Sequence, residues 1–303
     1  MMIEYLVLIS CIGFLVSLIP GLHRKYAAIT GWVFIVVFLF AALPEYFSEN
    51  NFLYPLMAVL SVPFLVITIK YLLAENTSVL HLSRAAAVAF LIYAPFAYLP
   101  VAGTWLISLV VGQIIWLLNF FNYPVSLDAW NIIAQNSFRV EIILACTGIQ
   151  SIAIMLGVAA AVPTTLRQKA CAFLLVAPTI YILNLFRNVF VIMAYTGQWF
   201  PYFPDIAGNG EIGYESFFWA HNVIAELLAL VVLIVIAYGL FTLIPQLGTF
   251  ADELYQLYYG EVVRELGLIG RNGPDKPVPA PAPVQNPAQV PAPGSDEPEL
   301  PKT

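Results

Sequence analysis

Apolar residues in this chain recur in runs of about 18 or more, the length a helix needs to cross roughly 30 Å of hydrocarbon. The runs fall at 3–20, 26–43, 52–73, 101–121, 142–162, 170–195 and 215–243. A segment inside a bilayer finds no water for its backbone polar groups, so only helices and closed barrels can span. The runs are continuous rather than alternating, which selects helices. Of 303 residues, 61% are hydrophobic and only 10% charged. A soluble domain carries about a quarter charged residues, so this excess of apolar side chains must face lipid. The fold class is therefore all-α, a polytopic transmembrane helical bundle.

Other segments refine the organisation. The stretch 85–99 is apolar but short and contains Pro95. It reads as a re-entrant, interfacial or half-span segment, which leaves the count at seven or eight spans. The first run, Ile3 to Ile19, has no basic region before it and no small-residue cleavage site, so it reads as a retained span rather than a signal peptide. Residues 1–245 form the membrane domain. In 246–271, Phe250, Leu254, Leu257, Tyr258 and Leu266 recur at helical spacing among Asp252, Glu253, Glu261 and Arg264. That pattern predicts an amphipathic helix on the membrane surface or on the bundle. Residues 272–303, rich in Pro and Ala, cannot bury a core and read as a disordered tail. No internal repeat is visible.

Charge sets an orientation. Basic residues concentrate at His23-Arg24-Lys25, at Lys70 with Arg84, and at Arg167 with Lys169, while 44–51 and 196–214 carry acids without a basic excess. The positive-inside rule places the basic loops in the cytoplasm, and the N-terminus with 44–51, 122–140 and 196–214 outside. The parity works only if 85–121 crosses an odd number of times. The net charge of −6 comes without a clustered basic face, which argues against nucleic acid. Cys11, Cys146 and Cys171 have neither disulfide-framework nor zinc spacing, and no cofactor or metal site is expected.

Ionisable groups inside a membrane are costly and mark functional sites. Arg187, in ILNLFRNVFVI, and His221, in FFWAHNVIAELL, are two such groups, and Cys146, in EIILACTGIQS, is the thiol nearest the outer end of a span. Counting helical rise from the inner edges puts Cys146 roughly 31 Å up, Arg187 roughly 27 Å and His221 roughly 36 Å. Three helices thus bring a thiol, a guanidinium and an imidazole to one level. A thiol becomes a nucleophile when a neighbour favours its thiolate. Histidine can take and return a proton near neutral pH, and arginine supplies permanent charge and directed donors to an oxyanion. Each residue also has a plainer reading. Cys146 could be a small core residue, Arg187 could snorkel to headgroups, and His221 could cap its helix. Cys11 and Cys171 lack an ionisable partner at matching depth and read as packing. Glu226, deeper on the His221 helix, reads as structural, with pairing to Arg187 as the alternative.

The segments ACTGIQS (145–151), NLFRN (184–188) and WAHN (219–222) resemble, in order and setting, those of the exosortase/archaeosortase family, over residues from about 80 to 245. That family has a Cys followed by a small hydroxyl residue and Gly, an Asn-x-x-Arg motif, and a third basic residue. The resemblance implies a membrane-embedded cysteine transpeptidase in the cell membrane of an archaeon, active at the extracytoplasmic face. Its implied partners are exported proteins carrying a C-terminal tripartite sorting signal, and a membrane lipid acceptor. By the same resemblance Cys146 is the nucleophile, Arg187 stabilises thiolate or oxyanion, and His221 is the general acid/base. Thr147, Gly148, Asn184, Asn188 and Asn222 support them. Tyr123, Pro124, Trp130, Trp199, Phe200, Tyr202 and Phe203 would form an aromatic rim for an incoming helix, or an ordinary interfacial belt. Two other classes compete: a transporter or channel, and a non-catalytic subunit that uses Arg187 for contact. Only the enzyme needs a reactive thiol at 146.

Overall fold

The computed structural model describes residues 2–21, 23–48 and 53–265. The chain begins with α1 (Met2–Ser17), α2 (Arg24–Ala41), α3 (Leu43–Ser48), α4 (Leu53–Leu73), α5 (Thr77–Tyr98) and α6 (Pro100–Phe120). A small antiparallel meander follows: β1 (Ser126–Ala129), β2 (Ile132–Gln135) and β3 (Phe138–Glu141). After a 3-10 turn at Leu144–Thr147 come α7 (Ile149–Ala159), α8 (Leu166–Thr196), α9 (Pro204–Ala207) and α10 (Tyr214–Phe217). A π-helical segment, Phe218–Ala225, then leads into α11 (Glu226–Leu243), and α12 is Gln246–Glu265. Among the described residues, six helices are long and apolar enough to cross a membrane, and two shorter apolar helices, Tyr5–Ser17 and Ile149–Ala159, accompany them. The helical-bundle class and the span count agree with the sequence.

Small residues let these helices approach. A Cβ on Gly13 would lie 2.7 Å from the Gly31 nitrogen, so α1 and α2 touch backbone to backbone. A Cβ on Gly157 would lie 2.5 Å from the Ala85 carbonyl, which does the same for α5 and α7. Association in lipid rests on such close packing, because lipid tails are as apolar as the side chains they replace. Along α8, a capping box at Thr165 and Gln168 starts a 31-residue helix, about 46 Å long. That exceeds the hydrocarbon thickness, so α8 must tilt or extend past it.

Polar contacts tie helix ends and α12 together at one end of the bundle. Lys25 Nζ donates to Glu75 Oε1 at 2.8 Å, Lys70 Nζ to Glu261 Oε2 at 2.9 Å, and Ser78 Oγ to Glu253 Oε2 at 2.5 Å. Glu75 lies in the turn after α4, and its bond to Lys25 holds its carboxyl below the usual range. Phe250 and Leu257 of α12 are buried against the bundle, so the amphipathic segment packs on protein. In the same helix, burial pushes the Tyr258 phenol up to about 12, against a 2.7 Å hydrogen bond with Thr68. Of the amphipathic pattern, Leu266 lies outside the described residues, as does the tail at 272–303.

Three expectations are corrected. Residues 85–98 are not a short half-span; they belong to α5, a 22-residue helix long enough to cross, and Pro95 near its last turn is tolerated. Only Leu99, in extended conformation, separates α5 from α6. Second, 142–162 is not one helix. Gly148 is left-handed, with φ 78°, and the chain turns there, leaving an α7 of 11 residues, about 16 Å. The helical-rise argument for Cys146 therefore does not apply. Third, the loop at 122–140 contains strands. Its signal was legible: Phe138, Arg139, Val140 and Glu141 alternate apolar and polar, and the two residues between β2 and β3 start with Asn136 at φ 54°.

Candidate active site

The meander delivers Cys146. The backbone N–H of Ile142, just past β3, donates to the Asn131 carbonyl at 2.8 Å, and the Asn131 amide returns a bond to the Ile142 carbonyl at 3.2 Å. The buried Val140 and Ile142 pack with Val189 and Ile192 of α8, so the strand is held against that helix. Two residues past Ile142 the chain enters the 3-10 turn that carries Cys146, and the Cys146 side chain is half-buried.

Helix α8 takes hold of this turn through the backbone. The amides of Asn184 and Asn188 both donate to the carbonyl oxygen of Cys146, at 2.6 Å and 2.8 Å. Residues four apart share one face of a helix, and Arg187 lies three past Asn184 on the same side. The clamp therefore fixes the thiol-bearing turn on the stretch of α8 that also carries Arg187. Gly148 completes the turn; its left-handed φ is accessible to glycine without the penalty a Cβ brings, and a Cβ would lie 3.2 Å from the Asn184 side chain. Thr147 is buried, and its hydroxyl donates to the Leu144 carbonyl at 2.7 Å, closing the turn internally.

The imidazole is supplied by a different helical segment. His221 sits in the π-helical segment, where i→i+5 bonding widens one stretch of an otherwise continuous helix, a distortion frequent at functional sites. Its ring stacks on Phe217, 4.9 Å between centroids and 13° between planes. Arg187 Nη2 and His221 Nε2 are 3.4 Å apart, and His221 Nδ1 and Asn222 Oδ1 are 2.7 Å apart. Guanidinium only donates, so Nε2 accepts; Nδ1 then carries the proton and donates to Asn222. This pattern describes a neutral imidazole whose lone pair on Nε2 can receive a proton, held in that tautomer by Asn222.

The structure thus joins Arg187 to His221 directly, and Cys146 to Asn184 and Asn188. Glu226 is exposed, and among the described residues Arg187 pairs with His221 rather than with it. Cys11 is buried as packing predicts, whereas Cys171 is exposed on α8, because its position turns away from the bundle. Around the site Trp130, Trp199, Tyr202 and Phe203 are exposed, while Tyr123 bonds to Thr196 at 2.7 Å and Phe200 packs near Phe190. Two contributors escaped the sequence reading. Phe217 supports the histidine, one helical turn before it. Gln150, which donates to Tyr93 at 3.2 Å, ties the start of α7 to α5. Among the described residues, no group of three or more His, Cys, Asp or Glu could hold a metal ion.

Comparisons with known proteins bear on the family of the chain. A family model described as Transmembrane exosortase (Exosortase_EpsH) matches residues 1–210. Archaeosortase A of Natronomonas pharaonis is 30% identical over 253 residues, covering 77% of this chain and 80% of that protein. Archaeosortase A of Haloferax volcanii is 27% identical over 264 residues, covering 78% and 87% respectively. No solved structure matches the chain significantly. With a family model spanning most of the chain and archaeal relatives aligned along most of their own length, this chain belongs to the transmembrane exosortase family and is similar to its archaeosortases.

Proposed function

We propose that this protein is a cysteine transpeptidase that removes the C-terminal sorting signal of exported proteins and transfers them to a lipid. The observation that carries the reading is the pair of contacts made by one face of α8: two amides on the Cys146 carbonyl, and between them an arginine on the imidazole. In this scheme the Cys146 thiol gives its proton to His221 Nε2 and attacks the scissile carbonyl. Arg187 stabilises the oxyanion of the tetrahedral intermediate. Collapse breaks the C–N bond, the leaving amine takes the proton from His221, and a thioester remains on Cys146. A lipid headgroup nucleophile then attacks the thioester, gives its proton to His221, and restores the thiol. Gathering of Lys25, Lys70 and the start of α8 at the opposite end of the bundle supports an extracytoplasmic site, by the positive-inside rule. Three further arrangements are part of the same proposal: the membrane domain at 1–245, the interfacial helix at 246–271 and the tail at 272–303.

The test is mass spectrometry of membrane and secreted proteins from cells carrying wild-type protein or Cys146→Ala. Exported proteins that lose a C-terminal helix and gain a lipid only in the wild type are expected. Identical C-termini in both strains would refute the proposal.

A further inference from the structure

The strand that leads into Cys146 is an edge of its sheet. The strand order is β1-β2-β3, so among the described residues β1 and β3 each present one open edge. In β1 the register shifts between Leu127 and Ala129, an irregularity of the kind that blunts an edge. β3 is regular, with Ile132 opposite Glu141, Ile133 opposite Val140, Ala134 opposite Arg139 and Gln135 opposite Phe138. The same register sets Asn131 opposite Ile142, whose N–H donates to the Asn131 carbonyl at 2.8 Å. Backbone groups alternate in direction along an antiparallel strand, so Phe138, Val140 and Ile142 turn theirs toward β2. Arg139 and Glu141 turn theirs to the open side, and the N–H of Ile143, extended at φ −106° and ψ 175°, continues the row. Among the described residues these three N–H groups and the Arg139 and Glu141 carbonyls have no hydrogen-bond partner. Helix α8 meets the sheet through the buried side chains of Val140 and Ile142, which stand perpendicular to its plane, whereas Arg139, Glu141 and Ile143 are exposed.

A row of outward donors and acceptors is what an extended peptide completes by strand addition, with main-chain bonds giving affinity and alternate side chains giving specificity. Charged side chains often guard such edges. Here Arg139 pairs with Asp128 of β1 at 2.5 Å, and Glu141 accepts from the Asn131 amide at 3.1 Å, so both side chains are engaged within the sheet's own hairpins. The row is also continuous with the thiol site. From Ile143 the chain passes through one 3-10 turn to Cys146, about 6 Å of rise. A peptide lying along 139–143, about 13 Å of strand, therefore ends beside the turn that carries the thiol. A helix cannot use this edge, because its backbone groups are bonded internally. We propose that the open edge of β3 binds the residues flanking the substrate's cleavage position as an added strand, held by the backbone of Arg139, Glu141 and Ile143. The edge acts within the transpeptidase function proposed above, on which it depends, and requires the sorting signal to be extended where it is cut.

The full-length protein in detergent tests this with a synthetic peptide spanning the cleavage position of an exported protein that loses its C-terminal helix in the mass spectrometry above. Proline has no N–H, and at an outward position of an edge strand it leaves the bonds to β2 in place. Glu141→Pro should therefore raise KM roughly tenfold over Glu141→Ala, at similar kcat and melting temperature. Both variants lose the same carboxylate, so the difference between them reads the backbone donor. Equal KM in the two would overturn the proposal. If Glu141→Pro does not fold, the wild-type protein decides with peptides N-methylated at one residue at a time. Methylation should weaken cleavage at every second residue, because only alternate peptide groups face β3. An effect without that period, or no effect, would overturn the added strand. Cys146→Ala separates the two levels. Cleavage that is lost in Cys146→Ala but insensitive to proline and to N-methylation removes the strand alone. Cleavage that persists in Cys146→Ala removes the transpeptidase function and the strand with it.

Discussion

Arg187 and His221 come from different helices, and their side chains meet at 3.4 Å between Nη2 and Nε2. A permanent cation beside an imidazole nitrogen leaves that nitrogen as an acceptor, so the pair presents a base and an oxyanion donor in one direction. Arg187→Lys replaces a planar fork by a point charge that cannot hold both orientations. Processing of a sorting-signal substrate should fall on the order of a hundredfold, with insertion and melting temperature preserved. Near-wild-type processing by the lysine variant would instead make Arg187 a headgroup anchor.

Asn222 holds the tautomer of His221 through a 2.7 Å bond. Its removal costs one hydrogen bond to a neutral partner, so Asn222→Ala should slow the chemical step roughly fivefold. Single-turnover kinetics should show a lower rate at unchanged substrate affinity. A change confined to affinity would place Asn222 in substrate contact rather than behind the histidine.

The carbonyl of Cys146 has two amide donors, and either alone keeps it satisfied. Asn184→Leu and Asn188→Leu should therefore each be tolerated better than their combination. The double variant leaves a carbonyl orphaned and should lose about 1–3 kcal/mol. Thermal unfolding of the four proteins in detergent gives the double-mutant cycle, and strict additivity would mean that the clamp is not shared.

Gly148 occupies a left-handed conformation beside the Asn184 side chain. Gly148→Ala should cost about 1–2 kcal/mol of backbone strain and displace the Cys146 turn. Processing should drop while helix content, read by circular dichroism, stays unchanged. Full activity in the alanine variant would show that the turn has freedom the structure does not display.

Of the three thiols, Cys11 is buried and Cys171 faces outward from a spanning helix, while Cys146 sits in a turn at the end of the bundle. A water-soluble alkylating reagent should therefore modify Cys146 first, and Arg187→Ala should slow it. Cys146→Ser should process almost no substrate, because an alcohol needs far stronger base assistance. Modification of Cys171 ahead of Cys146, or full processing by the serine variant, would remove Cys146 from the nucleophile role.

Much of this protein follows from the sequence by itself. Apolar run length decides that helices cross a membrane, because the bilayer leaves no other way to satisfy a backbone. Basic loops single out one end, and rare ionisable residues in apolar surroundings single out Arg187 and His221. Phe250 and Leu257 recur at helical spacing in the sequence, and both are buried in α12. Tertiary structure alone decided how the thiol is presented. The stretch 142–162 is apolar enough for a helix, yet Gly148 breaks it, and the Cys146 carbonyl is taken by Asn184 and Asn188, 38 and 42 residues away. The same holds for the partner of Arg187. Spacing along the chain offered both Glu226 and His221, and packing of α8 against the π-helical segment selected the histidine. Local composition sets which segments leave water; which polar groups then meet depends on contacts distant in sequence, and those form only when the helices close on one another.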